Sequence, residues 1–318
     1  MVRREAQQIS LADALVYERV PGNKVLMQIG EHIDWAPLRK RLEKLYRLDG
    51  PGRPAFPVIT LFKVLLLQNI YNLSDPAAEE AISDRLSFRR FLGLNLDQSV
   101  PDHSTIHRFR DRISGQIDEL FALITRQLEA KGLILKKGTL VDASLVKSSA
   151  RKPGRGSASS HDQGASWTKR YSRYHYGYRA HVGVDQDSEL IRQADLTTAH
   201  INDAKRFEQM VSGDEAAVYA DKAYYGHQRS AWLGAQGITD GIKRQLTTDP
   251  NLDRKAIMAF NQGVELVRRP VERVFGTLKR HYYFTRCRYR TLGRNRCHFL
   301  LLCICYNLKR QNRLLSTE

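Results

Sequence analysis

The apolar pattern of this chain changes period once, at Leu133, and that change constrains the fold more than any other feature. Upstream, from Asp34, hydrophobic residues recur at helical spacing. Trp35, Leu38, Leu42 and Leu45 stand at i, i+3, i+7 and i+10 and share one helix face. The run "FPVITLFKVLLLQNIYNLS" is apolar all round, as a buried central helix requires. Ser74-Asp75-Pro76 ends it and caps the next helix, because Ser and Asp accept the orphan N–H bonds of a first turn and Pro tolerates that turn. Asp102 repeats the device ahead of a helix that carries Arg108, Arg110 and Arg112. Ile117, Leu120, Phe121, Ile124 and Leu128 give a further amphipathic helix, which Lys131-Gly132 stops. Residues 34–131 therefore read as all-helical, and residues 1–33 are too mixed to assign.

Past Leu133 the pattern becomes that of strands. "LILKKGTLVDASLVKSS", "RYHYGYRAHVGVDQDS" and "ELIRQADLTTAH" give three in succession, the last two a hairpin about "DQDS". A helix over about 202–212, opened by Asn202-Asp203, comes next. A short fourth strand in "AAVYADKAYYG", a helix in "HQRSAWLGAQG" and a fifth strand in "ITDGIKRQ" follow. The remainder is mostly helix from Pro270, read as a first-turn residue. The order βββ-α-β-α-β-α is that of a mixed α/β layer fold. Segment 148–172 is basic, rich in Gly and Ser and without apolar period. It reads either as a flexible surface loop or as one that closes on a phosphate backbone. The expected division is a helical domain over 1–131 and an α/β domain over 132–318.

Charge narrows the partner. Lys and Arg number 51 against 34 Asp and Glu, a net of +17. Such a surface gains free energy by displacing counterions from phosphates, which points to nucleic acid. An anionic membrane fits less well, since the charge is spread along the chain. The apolar runs fall short of the ~20 residues that span a bilayer. The opening twenty residues lack the apolar stretch of a signal peptide. Cys287, Cys297, Cys303 and Cys305 crowd the last 32 residues with no CxxC pair, so they read as buried thiols of a reducing cytoplasm and not as a zinc site with His298. The expected location is cytoplasmic and nucleoid-associated.

Two aspartates stand where an acid is locally out of place. Asp142 interrupts the apolar run "GTLVDASLV", and Asp221 ends the fourth strand, where ligand sites of open α/β sheets gather. Each alone reads as a turn or capping residue. A third acid, Glu272, sits among five Arg or Lys residues in "RRPVERVFGTLKRHY". Three carboxylates from two strands and a helix can hold two Mg²⁺ ions, hard cations suited to carboxylate and phosphate oxygens. Lys279 lies seven residues past Glu272 and on the same helix face, whereas no shared face is assigned to Arg268. Lys222 reads as a DNA contact or an ordinary surface lysine. Asp203 reads as a cap, and His200 either approaches the metals or stays at the helix start. Tyr174, Tyr176 and Tyr178 alternate on a strand whose face packs or stacks on an unpaired base.

These motifs resemble those of the insertion-sequence DDE transposases of the IS-4 and IS-5 group, over nearly the whole chain. In that group the first acid lies in a segment like "LVDASLVK" and the second in one like "VYADKAYYG". The third belongs to a Tyr-x₂-Arg-x₃-Glu-x₆-Lys signature, matched here by Arg268, Glu272 and Lys279, with Glu265 at the Tyr position. The resemblance implies a ribonuclease-H-like catalytic domain with Asp142, Asp221 and Glu272 as metal ligands. The metals would be two Mg²⁺, with Mn²⁺ as a substitute. The signature supplies Arg268 and Lys279, expected DNA contacts together with Lys222 and with Arg108 and Arg112 of the basic helix, and the amino-terminal half resembles the family's helical domain, expected to serve end recognition or dimerisation. The implied partner is double-stranded DNA of element ends and target, bound by a homodimer or higher multimer without membrane attachment. The 51 positions between Asp221 and Glu272 leave room for a helix, a strand and a connection, but not for a large inserted domain. A structure-specific nuclease and a non-catalytic regulator that reads DNA through "DHSTIHRFRDRI" are the alternatives.

Overall fold

The computed structural model describes residues 10–19, 22–46, 55–154, 157, 161–170, 172–246 and 253–316. The chain divides into two compact units, residues 1–130 with 300–318, and residues 131–299. Residues 300–318 thus group with the helices, whereas the sequence reading carried the α/β domain over 132–318.

The first unit is helical among its described residues. Its elements are α1 (Leu11–Arg19), α2 (Lys24–His32), α3 (Ala36–Glu43), α4 (Val58–Ile70), α5 (Asp75–Asp84), α6 (Leu86–Leu92), α7 (His103–Ile113) and α8 (Ile117–Ala130). The all-apolar run forms α4, which is buried along nearly its whole length. Ser74 caps α5 by accepting from the Ala77 N–H, and Asp102 caps α7 by accepting from Thr105. All five apolar residues expected on the face of α8 are buried. Gly132 then takes φ +70°, the left-handed stop that a side chain disfavours. Arg110 of α7 turns inward, 3% exposed, and its guanidinium donates to both Asp75 and Gln68.

The second unit carries the sheet: β1 (Thr139–Lys147), β2 (Ser166–Arg170), β3 (Arg173–Asp185), β4 (Ile191–Thr198), β5 (Ala217–Ala220) and β6 (Thr239–Ile242). It also holds α9 (His227–Ala235), α10 (Arg254–His281) and the start of α11 (Leu292–Leu315). β1 lies between β3, antiparallel, and β5, parallel, with β6 parallel beyond β5. Gly177 of β3 pairs with both β1 and β2, and residues 178–184 pair with both β1 and β4. β2 and β4 therefore share the far edge of β3. Three antiparallel strands followed by two parallel ones, with β1 central, is the ribonuclease-H-like arrangement. Val141 on one face of β1 packs with Phe207, Met210, Val218 and Leu233. All four cysteines of the chain are buried thiols, and no described helix is long and apolar enough to cross a membrane.

Three local expectations change. Part of the basic segment 148–172 is strand β2, which docks Ser166–Arg170 on β3; residues 155, 156, 158–160 and 171 of that segment lie outside the described residues. The helix expected over 202–212 is a pair of 3₁₀ turns, Asp203–Arg206 and Glu208–Met210. Their tighter winding aligns i and i+3, and it buries Phe207 and Met210 together. Pro270 lies well inside α10 and not in its first turn. It removes one N–H bond, but the buried stripe Val264, Arg268, Val271, Val274 and Leu278 holds the helix through it.

Candidate active site

Strand register brings the two aspartates together. Ala220 of β5 lies opposite Val141 of β1, so the next positions in line are Asp221 and Asp142. Ala220 also lies opposite Ile242 of β6, which places Lys243 next to Asp221 on the other side. Side chains alternate along a strand, and parallel neighbours in register point the same way. The row Asp142–Asp221–Lys243 thus follows from three strand ends.

Helix α10 supplies the charge that holds this row. The Arg268 guanidinium is 7% exposed and reaches Asp142 Oδ1 at 3.5 Å through one terminal nitrogen. Its other terminal nitrogen lies 3.9 Å from Asp221 Oδ1. One arginine is thus shared by two carboxylates at distances longer than a good hydrogen bond, and its Nε has no partner among the described residues. Lys243 pairs with Glu265 of α10 and lies 3.8 Å from Asp221. Glu265, which replaces the signature tyrosine, therefore ties β6 to α10 by charge.

The Asp142 side chain is only 26% exposed. Desolvation pushes its pKa up to about 6; Arg268 and the Ala143 N–H oppose this, while Asp203 and Asp221 add to it. A carboxyl so placed gains from added positive charge. Around the pair opens a cleft of about 730 Å³ with three acids, Asp142, Asp203 and Asp221, within a rim that includes Lys169, Arg170, Lys222 and Arg244. Asp203 pairs with Arg179 at 2.6 Å. Tyr224 also lines the cleft, is 2% exposed, and its hydroxyl has no hydrogen-bond partner among the described residues. Burial, then the charges of Asp203 and Asp142, hold that hydroxyl firmly protonated.

Glu272 stands one turn beyond Arg268 on α10 and is exposed. Among the described residues no three Asp, Glu, His or Cys side chains are close enough together to hold a metal ion. The structure thus joins Asp142 and Asp221 around one guanidinium and sets Glu272 on the neighbouring turn. The donor set nevertheless suits a hard divalent cation: two adjacent carboxylates, one of them raised in pKa, face the shared Arg268 and, 3.8 Å from Asp221, a Lys243 that pairs with Glu265.

The residues expected on DNA are placed differently from one another. Lys222 is exposed in the cleft. Arg268 is buried in the ion-pair cluster. Lys279 is half-buried in a neighbouring cleft, where burial and Arg170 lower its pKa against the opposing charge of Asp142. On α7, Arg108 folds back onto Ser104 and Arg112 lies over the Tyr46 ring at 4.2 Å, both on the exposed face. His200 bonds with Ser166 and Thr198. Tyr176 and Tyr178 are buried and Tyr174 is 40% exposed, so the tyrosine row is mainly packing.

Sequence reasoning missed Asp203, Arg179 and Tyr224 as cleft residues, and Lys243 as the cation beside Asp221. Asp203 looked like a cap, yet Asn202 performs that role by accepting from Ala204, which leaves Asp203 for Arg179. Lys243 reaches Asp221 only through the register of β5 and β6, which places the residue after Ile242 beside the residue after Ala220.

Two family models match the chain: a Transposase domain (DUF772) over residues 15–112, and a Transposase DDE domain over residues 135–308. This chain belongs to the DDE transposase family. Among solved structures, a cryo-EM structure of the piggyBac transposase synaptic complex with hairpin DNA is similar at 11% identity and a TM-score of 0.44, over 96% of this chain and 76% of that chain. In this transposase the aspartates carried over from the family motif, Asp142 and Asp221, are the pair that the sheet register sets side by side.

Proposed function

We propose that this transposase hydrolyses phosphodiester bonds at the ends of its insertion element and joins the freed 3′-OH to target DNA. One observation carries the reading: Asp142 and Asp221 are register neighbours that share a single guanidinium in a cleft rimmed by cations. Asp142 and Asp221, with Glu272 from the next helix turn, would hold divalent ions, Mg²⁺ by the hardness of these oxygens. Such ions, when bound, supply an activated hydroxyl and stabilise a leaving oxygen. The chain's own groups do the rest. Lys169, Arg170, Lys222 and Arg244 hold the phosphates of the strand over the acids. Arg108 and Arg112 on the exposed face of α7 contribute backbone contacts to end recognition, and the active species on DNA is a homodimer or higher multimer.

The test is cleavage of end-sequence duplex in Mg²⁺, run beside binding isotherms. The wild type should cut, and Asp142→Asn should bind the same DNA without cutting it. An Asp142→Asn protein that cuts at the wild-type rate would overturn the assignment.

A further inference from the structure

Toward the C-terminal end of β1 the acid cleft gives way to a second one, of about 650 Å³. Leu145 and Arg170 line both, so the two are continuous along the sheet. Their charge differs completely. The second cleft is lined by Lys147, Arg170, Arg173, His175 and Lys279, and no Asp or Glu occurs among the described residues that line it. Lys147, Arg170 and Arg173 are exposed. Burial, then the charges of Lys152, Lys147, Arg170 and Arg173, depress the pKa of His175.

Strand β3 forms part of the floor of this cleft. Gly177 of β3 lies beneath it, and a Cβ there would collide with the Val146 carbonyl oxygen of β1. The two backbones therefore approach more closely than any side chain would permit. Lys147 is fixed at the strand end by pairing with Gly177 and by backbone bonds to Thr285 and Cys287. Arg173 and Arg170 pair across the β2–β3 hairpin, and Lys279 projects from α10. Four separate elements thus bring cations to one trough, and no acid lines it among the described residues.

We propose that this trough holds the phosphodiester backbone of the DNA strand that crosses the acid cleft, on the side of the scissile bond toward the end of β1. The proposal rests on the transposase reading for the identity of the strand, but the binding itself is tested separately. A regular series of phosphates needs cations spaced along a groove and no carboxylate beside them. The β2–β3 hairpin is then a DNA-binding arm and not a structural edge.

The experiment uses the double variant Lys147→Ala/Arg173→Ala in the full-length protein, with thermal melting to confirm the wild-type fold. Its affinity for end-sequence duplex is measured across a range of salt concentrations. Each phosphate left without its cation should lower the log–log salt slope by about 0.9, so the slope should fall by about two units and affinity should weaken at least about tenfold. The charge-keeping pair Lys147→Arg/Arg173→Lys should restore both. A folded double variant with unchanged slope and affinity overturns the trough. A wild-type protein that binds through the trough but never cuts end DNA would instead overturn the transposase reading and leave the trough standing.

Discussion

Two arginine–aspartate clusters sit inside this molecule, built from the same chemistry and left in opposite states. In the helical unit, Arg110 donates to both carboxylate oxygens of Asp75 and to Gln68. Burial alone would raise the Asp75 pKa, but the bonds from Arg110 and Gln68 outweigh it and the pKa falls. In the α/β unit, Arg268 is split between Asp142 and Asp221 at 3.5 and 3.9 Å, its Nε is unpartnered among the described residues, and the Asp142 pKa rises to about 6. The first cluster is complete and stabilising. The second carries a desolvation cost that its own partners do not offset. Buried charge left under-compensated in a cleft marks a place where further positive charge is meant to bind.

The contrast is broken most severely by activity. Asp142→Asn should lower DNA cleavage by roughly 10³-fold or more, as expected for removing a preorganised electrostatic contact to the reacting groups. Arg110→Ala, at the complete cluster, should leave Asp75 and Gln68 buried without their partner. The expected loss is about 3–5 kcal/mol of stability, read by urea unfolding, with no change in cleavage per folded molecule.

The same two sites should differ in the sign of their pH response. The Asp142 pKa is raised on folding, so its carboxylate destabilises the fold above about pH 6, and the cost fades as pH falls toward the unfolded value of 3.8. Asp142→Asn should therefore stabilise the metal-free protein at pH 7, by about 3 kcal/mol at most, and leave it unchanged near pH 4. Asp75 is lowered on folding, so its contribution is present above the unfolded value and lost as pH falls through the folded one. Asp75→Asn should destabilise at neutral pH. Thermal melts of both variants across pH would show the opposite signs, and equal signs would remove the distinction. The smallest effect concerns Lys279→Ala, which should reduce the salt slope of DNA binding by about one unit and leave cleavage on saturated DNA within a few-fold.

How much of this was legible in the chain depends on whether a feature is local. Ser74 and Asp102 cap their helices as expected, because a cap is decided within four residues. The order of strands after Leu133 also agrees, apart from β2. That strand, "SWTKR", lacks the β-branched alternation of its neighbours and exists because β3 offers it an edge. Pro270 misled for the opposite reason. A local breaker was overridden by a buried stripe that runs through it on α10. In the site, the motif residues Asp142 and Asp221 were visible singly. Their adjacency, with Lys243 beside them, is set by the register of β1, β5 and β6, which no single stretch encodes. The Asp203–Arg179 pair in the cleft joins a 3₁₀ turn to β3 and was likewise hidden.

The central claim is that Asp142 and Asp221 form an incomplete cluster awaiting a divalent cation. A ¹³C-carboxyl NMR titration of Asp142 in the full-length protein, without and with saturating Mg²⁺, tests it directly. Without Mg²⁺ the carboxyl should titrate near pH 6. With Mg²⁺ its midpoint should drop below the ordinary aspartate range, because only the ionised form binds the ion. A midpoint near the ordinary aspartate value of 3.8 in the free protein, or one that Mg²⁺ fails to move, would contradict the account.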